Sequence, residues 1–166
     1  MDMPRICRHL ITTRWRVKRA FPAAALCEIE KAIKASETAH RGEICFVVEG
    51  SLDGLALLRG QTARERAIDV FSQLRIWDTE HNNGVLIYLL MADRAVEIVV
   101  DRGLHAKANT HEWEPICRKI EADFRDGHFE RGTIAGIKAV ALHLTRHFPP
   151  FDGDINALPD RPVVLA

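Results

Sequence analysis

The stretch WDTEHNNGVLIYLLMADRAVEIVVDRGLH, Trp77 to His105, decides the fold. Val85 to Met91 at its centre has no polar position on either face. A strand of that kind is buried on both sides, as in a sheet covered by helices above and below. Asn82-Asn83-Gly84 interrupts the chain just before it, and Ala92-Asp93-Arg94 makes a turn just after it. The run Ala95 to Val100 then reads as a second strand folding back as a hairpin, leaving through Asp101-Arg102-Gly103.

Upstream, ICFVV, Ile44 to Val48, is a β-branched and aromatic run of strand length. Between it and the hairpin, Thr62-x-x-Glu65 has the form of a capping box. It opens a helix whose apolar face is Ala63, Ala67, Val70, Phe71 and Leu74. Pro22 to His40 places Leu26, Ile29 and Ile33 at helical spacing. Downstream, Trp113, Ile116, Cys117, Ile120 and Phe124 share one helical face up to Gly127. Ile134, Ile137, Ala141, Leu144 and Phe148 share another, ended by Pro149-Pro150. A strand-helix-strand crossover makes its two strands parallel. The expected fold class is α/β, a three-layer α/β/α sandwich with a small mixed β-sheet flanked by helices on both faces. Its expected organisation is a basic arm over 1–21, one domain over 22–150 and an irregular tail over 151–166.

The 166 residues suit one domain with its own core, and 47% hydrophobic with 28% charged residues is ordinary for a globular protein. Twenty-three basic residues balance 23 acidic ones, so no overall field draws the molecule to nucleic acid. The arm concentrates Arg5, Arg8, Arg14, Arg16, Lys18 and Arg19 against Asp2. It reads as a solvated segment or as a surface for an anionic partner. No window is long and apolar enough to span a bilayer, and Ala20 to Cys27 lacks the form of a secretory leader. The four cysteines, Cys7, Cys27, Cys45 and Cys117, have no metal-finger spacing. A cytoplasmic, reducing location is the expectation.

Hard cations need several converging oxygens. Asp93, Glu97 and Asp101 lie on or beside the hairpin and Asp126 follows the third helix, which makes these four the candidate cation ligands. The alternative is that Asp93 forms a turn, Glu97 pairs with a base and Asp101 caps a loop. His143 and His147 are four apart on one helix without a visible third ligand, and His105, His111 and His128 read as surface residues. Phosphatase nucleophile patterns are missing: there is no Cys-x5-Arg loop, and Asp152-Gly153-Asp154 sits in the tail. There is no Gly-x-Ser-x-Gly elbow either.

Asn83-Gly84-Val85-Leu86, the Asp93-Arg94 turn, Gly103-Leu104 and FRDGHFERGTIAGI, Phe124 to Ile137, occur in an order and spacing that resembles the TPM domain. That family is named for its thylakoid-lumen, photosystem-repair and acetylcholine-receptor-modulator founders, and the resemblance runs from about Glu43 to Phe148. It implies the same sandwich, divalent cations such as calcium as ligands, and a low acid-phosphatase activity in some members. This chain resembles the small soluble bacterial type. It departs from the family at Val99, where an acidic residue is usual, and at His128, where Gly-Asp is usual in place of Gly127-His128. The expected function is a binding or assembly module with a divalent-cation role and a protein partner, at a membrane complex of the kind its relatives span. The alternative is a metal-dependent phosphatase of low activity using a metal-bound water.

Overall fold

A computed structural model of the chain describes residues 3–107, 110–150 and 156–165. The helices are α1 (Met3–Ile11), α2 (Arg14–Ala20), α3 (Ala23–Glu37), α4 (Gly54–Leu58), α5 (Ala63–Gln73), α6 (Arg102–His105), α7 (Glu114–Arg125) and α8 (Phe129–His147). The strands are β1 (Glu43–Glu49), β2 (Gly84–Leu90), β3 (Ala95–Val100) and β4 (Val163–Leu165), arranged in the order β3-β2-β1-β4. β1 runs parallel to β2 with Ile44 opposite Val85 and Val48 opposite Leu89. β2 and β3 form the antiparallel hairpin, with Ile87 opposite Ile98.

Every residue of β2 is buried, because alternate side chains enter two different cores. Val85, Ile87 and Leu89 join Ile44, Phe46 and Val48 against α3, α7 and α8, where Ile29, Ile33, Ile120 and Leu144 come in. Leu86, Tyr88 and Leu90 join Val47 against α5, packing on Ala67, Val70 and Phe71. This is the three-layer sandwich that the apolar run between two turns required. α5 begins with the full capping box: Thr62 Oγ1 accepts from the Glu65 N–H, and the Glu65 carboxylate accepts from the Thr62 N–H.

Two boundaries differ from the sequence expectation. Val17 and Phe21 are buried in the larger core, so the packed unit reaches back past Pro22 and includes α2. The stretch read as an irregular tail supplies β4, which pairs parallel to β1 through Val47–Val163 and Glu49–Leu165. Three residues carry too little alternation to read as a strand. What makes them one is the open edge of β1, together with Glu43, whose buried carboxylate accepts from the Ala157 and Leu158 N–H groups at 3.1 and 3.3 Å. Phe151 and the Asp152-Gly153-Asp154 motif lie outside the described residues.

Candidate functional site at the carboxyl ends of the strands

β1 and β2 are parallel, so both end on one side of the sheet. Open α/β sheets bind ligands beside such ends. At the end of β1, the buried Glu49 carboxylate receives the Arg66 guanidinium through two hydrogen bonds of 2.9 and 2.8 Å and the Tyr88 hydroxyl at 2.5 Å. Burial, then the neighbouring carboxylate, pushes the Tyr88 phenol well above its ordinary range. It therefore stays a neutral donor. This network is saturated and structural.

Asp93 sits in the turn that follows β2. Its Oδ2 accepts from Arg5 Nη2 at 2.7 Å and its Oδ1 from Arg5 Nε at 3.0 Å, with the His9 Nε2 3.1 Å away. Burial acts to raise this carboxyl, but Arg5 and His9 outweigh it and hold Asp93 below its ordinary value. Glu97 faces α5, 3.6 Å from Arg64, and its pKa is raised chiefly by burial and further by Glu121. Asp101 lies at the opposite edge, where its Oδ1 accepts from the Arg102 N–H at 2.7 Å and begins α6. The buried Asp101 Oδ2 has no hydrogen-bond partner among the described residues. Asp93 and Asp101 flank a six-residue strand. At about 3.3 Å per residue they are on the order of 17 Å or more apart. Asp126 is exposed at the end of α7. Asp93 and Asp101 therefore do not meet, and among the described residues no three His, Cys, Asp or Glu side chains form a group that could hold a metal ion.

Val99 and His128, the two positions singled out in the sequence, have ordinary neighbours. Val99 is buried opposite Leu86, in the core against α5, two residues from Glu97 on the same face. His128 is exposed with its Nδ1 2.8 Å from Arg131. His143 lies 3.2 Å from the Glu112 carboxylate and packs on Trp113. The inner thiols are inert, since burial pushes both Cys45 and Cys117 up to about 12.

Beside Asp93 the same edge opens into a cleft of about 570 Å³. Leu89 and Met91 lie at its sheet side, Phe124 and Phe129 form one wall with ring centroids 5.3 Å apart, and Trp15 belongs to the other. Arg16 and Arg19 enter from α2, Arg94 from the hairpin turn and Arg125 from the end of α7. All four are exposed, and none forms an ion pair with a carboxylate among the described residues. Among the described residues Glu121 is the one acidic residue that lines this cleft, and it is engaged by the Val96 N–H at 3.0 Å. Guanidinium groups that line one cleft and have no carboxylate partner among the described residues favour oxyanions, which they can hold through paired hydrogen bonds. Arg94 also adopts φ 54°, a left-handed conformation that most side chains avoid. The sequence contains these arginines, but nothing in their spacing says that elements as distant as α2 and α7 bring them together.

The comparisons with known proteins agree with this architecture. Residues 19–142 match the TPM domain family. The BA42 protein from the psychrophilic bacterium Bizionia argentinensis is 29% identical, with a TM-score of 0.75 over 86% of this chain and 93% of that one. The N-terminal domain of a P. gingivalis protein shares the fold at 20% identity, with a TM-score of 0.58 over 73% and 76% of the two chains. No curated protein matches the chain.

Proposed function

Because this chain belongs to the TPM domain family, we propose that it serves as that family's fold in the form of a binding module, whose cleft takes the oxyanion groups of a ligand. One observation carries the reading: four arginines that have no carboxylate partner among the described residues line a cleft of about 570 Å³ at the carboxyl ends of the strands. That volume lies within the range of about 300 to 1,000 Å³ usual for ligand sites. The hydrolase alternative has no comparable support, since Asp93 is committed to Arg5 and, among the described residues, the cleft lining holds no Ser, Cys or His as a candidate nucleophile or base. A shared cation site built from Asp93, Glu97, Asp101 and Asp126 is likewise not part of the reading.

Inorganic pyrophosphate and a hexaglutamate peptide are the probes, each compared with chloride at equal ionic strength. Binding of either should raise Tm by mass action. The double variant Arg94→Gly/Arg125→Gln should lose at least about tenfold in affinity, since each lost charge-assisted contact removes roughly 1.5 kcal/mol or more. Arg94→Gly alone should leave stability within about 1 kcal/mol of the wild type, because relief of the left-handed strain offsets glycine's extra chain entropy. A response to the peptide alone assigns the cleft to an acidic segment of a partner protein, and a response to pyrophosphate alone assigns it to a small ligand. If neither probe shifts Tm, the binding reading fails. Calcium-dependent hydrolysis of p-nitrophenyl phosphate that disappears in Asp93→Asn would replace it with the phosphatase reading.

A further inference from the structure

α1 is an amphipathic helix docked the wrong way round for a globular protein. Its polar side faces inward: His9 is 4% exposed, its Nδ1 accepts from the Leu52 N–H at 3.0 Å, and its Nε2 is directed at Asp93. Arg5 is drawn in beside it by the same carboxylate and by the Gln61 carbonyl oxygen at 2.6 Å. The opposite side, which a soluble helix normally buries, faces outward. Met3, Leu10 and Ile11 recur at helical spacing and are 57%, 75% and 59% exposed. Trp15, at the start of α2, extends this apolar surface and is 64% exposed. No other element of the described chain covers these side chains.

The rim of this surface is basic. Arg14, Lys18 and Arg19 are exposed and have no carboxylate partner among the described residues, and the Arg19 guanidinium lies 5.4 Å from the Trp15 ring centroid. Residues 1–21 hold six basic residues and one acidic residue, which leaves 17 basic and 22 acidic residues for the remainder of the chain. The zero net charge is thus an average over a cationic face and an anionic body.

We propose that the α1–α2 face is a docking surface for an anionic lipid bilayer, with Leu10, Ile11 and Trp15 entering the headgroup boundary and Arg14, Lys18 and Arg19 meeting the anionic headgroups. Leu and Trp flanked by Arg and Lys on a helix lying in the surface plane is the composition such an interface requires. The anionic body orients the molecule by repulsion, so that only this face approaches. A second copy of the chain fits the surface less well. A two-fold contact would press each basic rim against its own image. Among the described residues no helix is long and apolar enough to cross a membrane, and the proposed contact is one at the bilayer surface.

Flotation of the full chain with vesicles tests this, and variants at residues that the face and the cleft do not share tell the two apart. The protein should float with phosphatidylcholine vesicles that contain phosphatidylglycerol, should not float with phosphatidylcholine alone, and should be released as salt screens the contact. Leu10→Ser/Ile11→Ser replaces two exposed side chains and should lower partitioning by about tenfold or more, because each buried methylene contributes to interfacial binding. The cleft variant Arg94→Gly/Arg125→Gln should still float, which separates this proposal from the oxyanion cleft. Failure of the wild type to float, or flotation of Leu10→Ser/Ile11→Ser at the wild-type level, overturns the proposal. So does a wild-type dimer in sedimentation velocity that the double serine variant dissociates, since the apolar face would then belong to a second copy.

Discussion

Asp93 joins two segments that are 84 residues apart in the chain, through His9 on one side and its own turn on the other. With its side chain only 13% exposed, it is paired with Arg5 by two oxygens and with His9 by one, while Arg8 stands 3.9 Å away. A charged hydrogen bond in such a setting contributes about 1.5 to 3 kcal/mol. Asp93→Asn should therefore cost about that much at neutral pH, with α1 losing its protection from hydrogen exchange first. The folded-state pKa of Asp93 lies below its ordinary value. Its stabilisation is thus complete above the unfolded carboxyl pKa of about 3.9 and is lost as pH falls through the lower folded value. In urea melts the gap between wild type and variant should stay constant from neutral pH down to about pH 5, then close at more acid pH. A gap that persists unchanged into strong acid would contradict the pairing. The residue was visible in the sequence as a turn aspartate. Its partner was not, because no local pattern ties Arg5 to a turn on the far side of two strands.

Among the elements, β2 is where burial leaves least freedom. Gly84 opens it, and a Cβ placed there would lie 2.1 Å from the Ile76 carbonyl oxygen. That neighbour is backbone and cannot swing aside. Gly84→Ala should cost about 1 to 3 kcal/mol, the usual penalty of overpacking. Gly54→Ala provides the control, because a Cβ at Gly54 meets nothing within 4 Å. Equal denaturation midpoints for the two variants would show that the segment preceding β2 yields. β2 itself was legible for a simple reason: seven residues with no side suited to water admit only a position between two layers. β4 was not legible, because a three-residue edge strand takes its identity from the backbone groups β1 leaves open.

For the whole molecule, the tail closes what would otherwise be a bare strand edge. Leu158, Val163 and Leu165 pack against the α5 side of the sheet, and the buried Glu43 holds the backbone that brings them there. Truncation before residue 156 should lower stability by about 2 kcal/mol or more, given roughly 1.5 to 3 kcal/mol for each fully buried aliphatic side chain and only partial burial here. It should also promote association through the newly exposed edge of β1. A truncated chain that melts with the wild type and stays monomeric would make the tail dispensable.

The sequence alone determined the layers of this protein: the doubly buried strand, the hairpin, the capped helix before it and the two amphipathic helices after it. Those features arise from periodicity and turn chemistry, which act over a few residues and can be read from neighbours. Tertiary structure decided what the edges of the sheet do. It separated Asp93 from Asp101 along the length of β3, because a hairpin places consecutive turn carboxylates at opposite ends of a strand. It gathered Arg16, Arg19, Arg94 and Arg125 from three distant elements into one cleft, and it turned the apolar side of α1 toward solvent by giving His9 and Arg5 a largely buried partner. Charge and burial act through space, so their outcome depends on which segments the fold brings within a few ångströms of one another.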